Sequence, residues 1–314
     1  MSEQIIFVLG VGRSGTSLLQ SMLCSHPYIS FPPETHFFRK YVASKRYRSK
    51  LEEDGPEAFI ELLAHDSDYS RISIDPDDLM LGYVGGEKIF LLKNVYIDML
   101  SMYATNHGKV VIGDKDPRNL DYLEEIKLHY PDALILHIIR DPRDVILSRT
   151  KANWSKSMPF ILHPLICQAQ LKCNQPLGGK LFSSNYIEVH YEDLITRPPE
   201  VLNEVCQKIG INYDSAMLTF SESAKTLVSK SEMQWKSETL GPILGNNLGK
   251  WKKSLSATRI FLSESICLYA FETYPNLYHR SKIRNSYKWK IFRFSLKIIS
   301  IVFTRFYKLR KYWI

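Results

Sequence analysis

The sequence predicts an α/β fold in which helices flank an open parallel sheet of about four or five strands. Short apolar runs rich in β-branched residues alternate along the chain with segments of helical pattern. The candidate strands are residues 4–10, 109–114, 133–139 and 184–190. Residues 36–107 have a helical pattern and are predicted to be an insertion after the first strand. Strands that alternate with helices in this way favour a doubly wound sheet.

The first candidate strand ends in a glycine-rich turn. The segment Ile5–Leu19 joins an apolar run, this turn and the start of an amphipathic helix. Gly10 and Gly15 have the spacing of the P-loop pattern G-x-x-x-x-G-K-[ST], but Thr16 replaces the lysine and the cation is at Arg13. Such loops bind anions through converging backbone N–H groups and the positive helix end. The sequence therefore predicts a P-loop-type phosphate site, with a plain glycine turn as the alternative.

A second phosphate-binding segment is predicted after the strand 133–139. Arg140 follows the carboxyl end of that strand, where ligands of open α/β sheets bind. Asp141 suits the N-cap of the next helix and Pro142 its first position. Ser148 lies about two turns further along the same helix. Surface ion pairs at a helix start are the alternative interpretation.

Candidates for proton transfer and charge stabilisation occur in two other segments. Glu34 follows two prolines, and His36 is a competing general base because imidazole titrates near neutral pH. Lys115 ends a strand and precedes Asp116 and Pro117, which read as a helix start. A first-turn glutamate favoured by the helix dipole and a surface lysine are the simpler alternatives.

The loop Gly10–Leu19 resembles the 5′-phosphosulfate loop of sulfotransferases, which use 3′-phosphoadenosine 5′-phosphosulfate (PAPS) as donor. Its R-S-G-T sequence is similar to the tyrosylprotein branch and to many bacterial members, whereas many cytosolic members carry lysine at the position of Arg13. The segment after strand 133–139 resembles the family's 3′-phosphate motif. By this resemblance the residues expected to bind the donor are Gly12, Arg13, Ser14, Gly15, Thr16, Ser17, Arg140, Ser148, Tyr191 and Lys250.

The resemblance also assigns catalytic roles. Glu34 occupies the place of the family's general base, with His36 as the alternative. Lys115 resembles the lysine of an N-K-D-P element that contacts the sulfuryl group, although Asp114 here replaces the asparagine. Arg13 would stabilise charge from the loop. The expected reaction is in-line transfer to a hydroxyl, dominated by positioning and charge stabilisation, and no metal is expected.

The chain is predicted to comprise a sulfotransferase domain, residues 1–279, and a C-terminal extension, residues 280–314. From position 279 onward the chain has eleven Lys and Arg and no acidic residue, with apolar residues at helical spacing. Such a helix is expected either to lie in an anionic membrane surface or to pack on the domain with a basic outer face. Its apolar run, residues 298–303, is too short to span a bilayer. Residues 226–258 are predicted to form a long loop.

Composition and charge bear on the partners of the chain, the state of its cysteines and its location. The net charge is +8 over 314 residues, and the excess of cations is concentrated in the C-terminal extension. No nucleic-acid partner is expected. Five cysteines without a metal-binding spacing indicate reduced thiols. A start directly in a strand favours the cytoplasm, with peripheral attachment to the inner face of a membrane as a possibility. The expected acceptor is a hydroxyl of a glycan or glycolipid. The alternatives are a tyrosyl or small-molecule acceptor, a P-loop kinase, and a nucleotide-binding scaffold.

Overall fold

The computed structural model describes residues 4–227, 247–281 and 286–310. Within these residues one sheet has five strands in the order β2-β3-β1-β4-β5. All four neighbouring pairs are parallel, so the predicted α/β fold is confirmed. The strands are β1 (Ile6–Gly10), β2 (Ile29–Ser30), β3 (Val111–Lys115), β4 (Leu134–Ile139) and β5 (Tyr186–His190). The sequence patterns predicted four of them and missed the two-residue β2.

Strand β1 lies at the centre of the sheet and is buried along its whole length. Val8 lies opposite Lys115 of β3 and Leu136 of β4. Its side chains alternate between two apolar layers, with Phe7 and others in one and Val8 in the other. Burial on both faces explains why the strand reads as a continuous apolar run.

One face of the sheet is covered by helices that follow the loop and β5. They are α1 (Thr16–Cys24), α9 (Tyr191–Thr196), α10 (Pro198–Ile209) and α11 (Ser221–Leu227). The other face carries α5 (Leu92–Asn106), α6 (Leu123–His129), α7 (Pro142–Arg149) and α8 (Leu162–Phe182). Helices on both faces give the doubly wound arrangement that the alternating pattern predicted.

The predicted helical insertion is confirmed between β2 and β3. Besides α5 it contains α2 (Lys45–Asp54), α3 (Pro56–Ala64) and α4 (Pro76–Val84). A π-helical turn at Phe38–Val42 and a 3₁₀ turn at Tyr69–Ile72 link these helices to the sheet. A ring cluster that includes Phe7 and Tyr96 packs the insertion on β1.

The predicted loop 226–258 lies mostly outside the described residues. The part of it that the structure describes at its C-terminal end contains helices, which corrects the prediction of a loop there. Here α12 (Trp251–Ser254) is followed by α13 (Ala257–Ile266) and α14 (Leu268–Thr273). The carboxylate of Asp144 accepts the backbone N–H groups of Gly249 at 2.8 Å and Trp251 at 2.9 Å. This contact from α7 fixes the segment and lets a helix begin at Trp251, which the glycine-rich composition did not suggest.

The last described helix, α15 (Tyr287–Arg310), packs on α8 and α13 through both apolar and polar side chains. Leu296 is 2% exposed and packs with Phe261 and other apolar side chains. Ser300 Oγ donates to the carbonyl of Ile266 at 3.2 Å, and the Tyr307 hydroxyl donates to the Asp121 carboxylate at 2.9 Å. In the part of the chain that the structure describes, no helix has the length and apolar character needed to cross a bilayer.

A buried ion network joins α7 to α13. Arg143 is 3% exposed and its guanidinium contacts Asp141 and Glu264, each at 2.7 Å. The same guanidinium stacks on the Trp251 ring at 3.7 Å. Glu264 is fully buried, and Arg143 is its cationic partner among the described residues.

Arg143→Met is expected to lower the free energy of unfolding by about 3–5 kcal/mol, because it leaves Glu264 as an uncompensated buried charge. Urea denaturation followed by circular dichroism measures the change. Arg197→Met is the matched control, since Arg197 forms an exposed i,i+4 pair with Asp193 and should change the midpoint little. Equal midpoints for the two variants would contradict this role of Arg143.

Candidate active site

The glycines of the loop after β1 are required by close contacts. Gly15 has a φ of 112°, and a Cβ there would lie 2.4 Å from the Tyr191 ring. A Cβ on Gly10 would lie 2.6 Å from the carbonyl oxygen of Ile138. Both positions exclude a side chain, so the loop folds tightly over β4 and delivers Thr16 as the first residue of α1.

The loop presents polar groups at the positive end of α1. Ser14 is 1% exposed, and its hydroxyl has no hydrogen-bond partner among the described residues. The first turn of α1 carries no acidic residue, so the helix dipole there is not neutralised locally. Thr16 is buried at the helix start and Ser17 is half-buried beside it. The arrangement suits an anion, as the glycine spacing predicted.

The structure joins the loop to the predicted second phosphate-binding segment. Arg13, which has a φ of 84°, donates from Nε to Ser148 Oγ on α7 at 3.0 Å. Arg140 leaves the end of β4, and its guanidinium lies 4.0 Å from the centre of the Tyr191 ring. Since Tyr191 also packs on Gly15, these predicted donor-binding residues surround one loop.

Lys250 lies in the segment held by Asp144, between Gly249 and Trp251. Nη2 of Arg140 donates to the carbonyl of Asn247 at 2.8 Å, in the same segment. The segment that carries Lys250 is therefore tied to the carboxyl edge of the sheet.

Glu34 and Lys115 meet although 81 positions separate them. The Lys115 ammonium donates to Glu34 Oε2 at 2.5 Å. The lysine side chain is 2% exposed and the glutamate side chain 14%. Nη1 of Arg71 donates to the Glu34 carbonyl at 3.1 Å and fixes its backbone. Arg71 lies in the insertion, where no motif indicated such a role.

His36 is held against Asp116 through one ring nitrogen. Its Nδ1 lies 2.8 Å from Asp116 Oδ2 and 3.8 Å from Glu34 Oε1, while Arg39 donates to the same Asp116 oxygen at 3.2 Å. Burial opposes protonation, but the hydrogen bond and charge of Asp116 outweigh it and raise the pKa of His36. Burial alone would raise the pKa of Asp116, and His36 and Arg39 instead hold it well below its usual range. The sequence did not indicate this pairing.

Asp114, the departure from the family's asparagine, lies away from the Glu34–Lys115 pair. It is buried and accepts a hydrogen bond from Asn119 Nδ2 at 2.8 Å. Burial, followed by the charge of Asp116, raises the pKa of Asp114 to about 6. Because successive strand residues point to opposite faces, Lys115 reaches Glu34 while Asp114 packs beneath the sheet.

Glu34, His36 and Asp116 bring ligand-type atoms within 4.8 Å of one another. Lys115 contacts one carboxylate of this cluster and Arg39 the other. The two carboxylates of this cluster are therefore each paired with a cation of the chain itself.

Residues 5–215 match a family model described as "Sulfotransferase family". The match spans more than half of the chain and contains the loop, Glu34, Lys115 and the Arg140–Ser148 segment. The chain belongs to the sulfotransferase family. It is 26% identical over 248 residues to Nodulation protein NoeE of Sinorhizobium fredii, covering 71% of this chain and 53% of that protein. It is 25% identical over 233 residues to a putative protein-tyrosine sulfotransferase of Caenorhabditis briggsae, covering 70% of each.

A solved sulfotransferase domain has the same fold. The domain from the Synechococcus PCC 7002 olefin synthase aligns with a TM-score of 0.56 at 22% identity, over 83% of this chain and 94% of that domain. The chain spans less than two thirds of the length of the first curated relatives it matches, 31% for one and 53% for NoeE.

The His36–Asp116 pair gives the stability of this member of the sulfotransferase family a defined pH dependence. The pKa of His36 is raised above its ordinary 6.5, so its contribution is complete below that pH and is lost as the pH rises through the folded value. The pKa of Asp116 is lowered from 3.8, so its contribution is present above that pH and is lost on acidification. Their joint contribution is largest between these two values.

His36→Asn is expected to cost about 1.5–3 kcal/mol of unfolding free energy at a pH of about 5.5, since it removes a hydrogen bond between charged groups. The cost should shrink as the pH is raised toward about 9, because the contribution of His36 is lost as the pH rises through its raised folded pKa. Urea titrations at both pH values measure it, with the exposed His65→Asn as control. A cost that is the same at both pH values would show that packing, not the charge pair, accounts for the effect.

Proposed function

We propose that this protein transfers a sulfuryl group from PAPS to a hydroxyl group of an acceptor. The observation that carries the proposal is the Glu34–Lys115 pair at the carboxyl end of β3, one strand away from the phosphate-type loop after β1. A carboxylate and an ammonium next to an anion site are the groups that sulfuryl transfer needs. The first accepts a proton and the second stabilises developing negative charge.

The donor contacts follow from the arrangement around the loop. The loop N–H groups, Arg13 and Ser14 would hold the 5′-phosphate, with Gly12, Gly15, Thr16 and Ser17 forming the rest of the cradle. Arg140 and Ser148 would bind the 3′-phosphate, and Tyr191 would lie near the adenosine. Lys250 would contact the donor from the segment held by Asp144. These roles are supported by the contacts that connect the loop with α7 and Tyr191.

The proposed step is an in-line displacement with Glu34 as the base. Glu34 takes the proton of the acceptor hydroxyl while the hydroxyl oxygen forms a bond to sulfur. The bond between sulfur and the 5′-phosphate oxygen breaks, and 3′-phosphoadenosine 5′-phosphate (PAP) leaves with the electron pair. Lys115 and Arg13 stabilise the charge that builds on the bridging oxygen and the sulfuryl oxygens. His36 is the alternative base, because its bond to Asp116 engages Nδ1 and not Nε2.

The acceptor is proposed to be a glycan or glycolipid hydroxyl in the cytoplasm or at the inner face of a membrane. A tyrosyl acceptor is the alternative, because one relative is described as a putative protein-tyrosine sulfotransferase. The proposed division is a catalytic domain, residues 1–279, and a membrane-binding extension, residues 280–314. The proposal of a membrane-binding extension rests on the apolar side chains that α15 exposes.

The outer side of α15 carries an apolar stripe. Phe294, Ile298, Val302 and Phe306 follow one another at intervals of four and are 64%, 47%, 46% and 67% exposed. By the helical period this stripe lies opposite the packed stripe of Leu296 and Ser300. Lysines and arginines flank it, and no acidic residue occurs from position 279 onward. An anionic bilayer surface matches both its charge and its apolar character.

Glu34→Gln and Lys115→Met are each expected to lower turnover at least about 100-fold, because each removes a group that acts in the transition state. PAP affinity should change little in Glu34→Gln. In Arg13→Ala and Arg140→Ala, PAP affinity should fall. Transfer of labelled sulfate from PAPS measures turnover, calorimetry measures PAP binding, and the exposed Glu57→Gln on α3 is the control. Turnover that survives both active-site changes, or tighter binding of magnesium-ATP than of PAP, would contradict the proposal and favour a P-loop kinase.

Membrane binding is tested on the full chain by flotation with vesicles of phosphatidylcholine, with and without phosphatidylglycerol. The protein should float only with the anionic vesicles, and Phe294→Ser/Phe306→Ser should abolish flotation because it interrupts the exposed stripe. Leu81→Ser/Ile89→Ser is the matched control, since these side chains are 74% and 78% exposed elsewhere. Flotation of both double variants to the same extent would remove the membrane role of α15.

A further inference from the structure

A second pair of an arginine and an aromatic ring lies at the Gly12 end of the loop. A Cβ on Gly12 would lie 3.5 Å from Arg149 Nη1 and 3.6 Å from the Trp154 ring. The Arg149 guanidinium is 4.9 Å from the centre of that ring. The first such pair, Arg140 on Tyr191, lies at the other end of the loop. The donor roles proposed above use the first pair and leave the second unassigned.

Arg149 is a buried charge without a counter-ion in the described part of the chain. Arg149 is 4% exposed. Among residues 4–227, 247–281 and 286–310, its Nε has no hydrogen-bond partner and no carboxylate forms an ion pair with it. Burial lowers the pKa of Arg149, yet a guanidinium remains protonated in proteins. Such a charge is costly to keep unless an anion compensates it.

Arg143 shows what a structural arginine looks like on the same helix. It is buried to a similar degree, and carboxylates on two sides neutralise it. Both arginines belong to α7 and lie six positions apart. The contrast separates a guanidinium that ties elements together from one that has no carboxylate partner among residues 4–227, 247–281 and 286–310.

The surroundings of Arg149 favour an anionic ligand. The chain carries no Asp or Glu from position 145 to 187, and Lys151 and Lys156 are exposed next to Trp154. Burial, followed by the charge of Arg149, lowers the pKa of His163 to about 4, so this neighbour is neutral near pH 7. The nearby described residues therefore concentrate positive charge at the guanidinium and supply no competing carboxylate.

Trp154 indicates a second property of the ligand, namely a ring that can stack on an aromatic face. Its side chain is 53% exposed although it lies against the loop and a buried arginine. A large aromatic face left open beside a charged group suits a ring with one apolar face and polar edges, as in a pyranose. Its place at the Gly12 end separates it from the Arg140–Tyr191 pair proposed for the donor.

We propose that Arg149 and Trp154 form an acceptor subsite for a sugar ring that carries an anionic group, with Arg149 binding the anion and Trp154 stacking on the ring. The inference rests on the proposed sulfotransferase function and specifies its acceptor. Planar guanidinium groups bind carboxylates and sulfate esters in the same two-pronged way. The proposed ligand is therefore an anionic pyranoside, and the experiment distinguishes a carboxylate from a sulfate ester as its anionic group.

The test uses the full chain and three probes: methyl β-D-glucuronide, glucose 6-sulfate and the neutral methyl β-D-glucoside. Calorimetry measures the Kd of each probe with and without saturating PAP. At least one anionic probe should bind at least about tenfold tighter than the glucoside, and its identity distinguishes carboxylate from sulfate ester. Arg149→Met should remove this preference, and Trp154→Leu should weaken all three probes by a similar factor.

Equal binding of all three probes to the unmodified protein would overturn the inference. A preference retained in Arg149→Met would also overturn it. A loss of PAP affinity in Arg149→Met, with the sugar preference intact, would assign the guanidinium to the donor instead. Because sugar binding is measured without PAP as well, failure of PAP binding in the unmodified protein would count against the proposed function separately.

Thermal unfolding supplies a readout that does not depend on ligands. Arg149→Met should keep or raise the Tm, because it removes an uncompensated buried charge, whereas Arg143→Met should lower it. An Arg149→Met variant that unfolds as early as Arg143→Met would show that the guanidinium has a structural counter-charge, and the subsite would have to be abandoned.

Discussion

The central position of β1 is the constraint on which the rest of the site depends. It pairs in parallel with β3 on one side and β4 on the other, so the groups that follow these three strands leave the sheet at one edge. The loop after Gly10, Lys115 at the end of β3 and Arg140 after β4 are therefore neighbours because of the backbone ladder. Strand β2, paired to β3, leads to Glu34 at the same edge. Side-chain contacts refine this arrangement but do not create it.

Charge pairing within this edge compensates a buried cation. Lys115 is almost fully buried, and an unpaired ammonium there would be costly. Glu34 supplies the counter-charge. Under the proposed function, a sulfuryl group placed beside the loop would offer Lys115 a second anionic partner, and Glu34 could then accept a proton from a hydroxyl. The same ion pair would thus compensate the lysine and hold the base next to the reacting groups.

The sequence predicted what short stretches of chain encode and missed what depends on distant contacts. The turn after β1 and the strand–helix junctions at Arg140 are local, because glycine spacing and caps fix them within a few residues. Strand β2 was missed because two residues carry no periodicity. The pairing of His36 with Asp116 joins positions 80 apart in sequence, and the anchoring of Glu34 by Arg71 comes from an insertion without a motif. The amphipathic pattern predicted α15 but left open whether its apolar side chains would pack on the domain or stay exposed, and the structure has some in each position.

The way α15 is attached connects that exposed side with the active edge of the sheet. Tyr307 donates to Asp121, which also accepts hydrogen bonds from Gln170 and Asn174 of α8. Asp121 lies in the 3₁₀ turn Pro117–Tyr122, which begins two residues after Lys115. If a membrane surface bound the outer stripe of α15, the edge of the sheet that carries Lys115 would therefore lie at a fixed distance from that surface. Under the proposed function, an acceptor anchored in that surface would reach the site by lateral diffusion, so the attachment of α15 through Asp121 would suit a glycolipid better than a freely dissolved sugar.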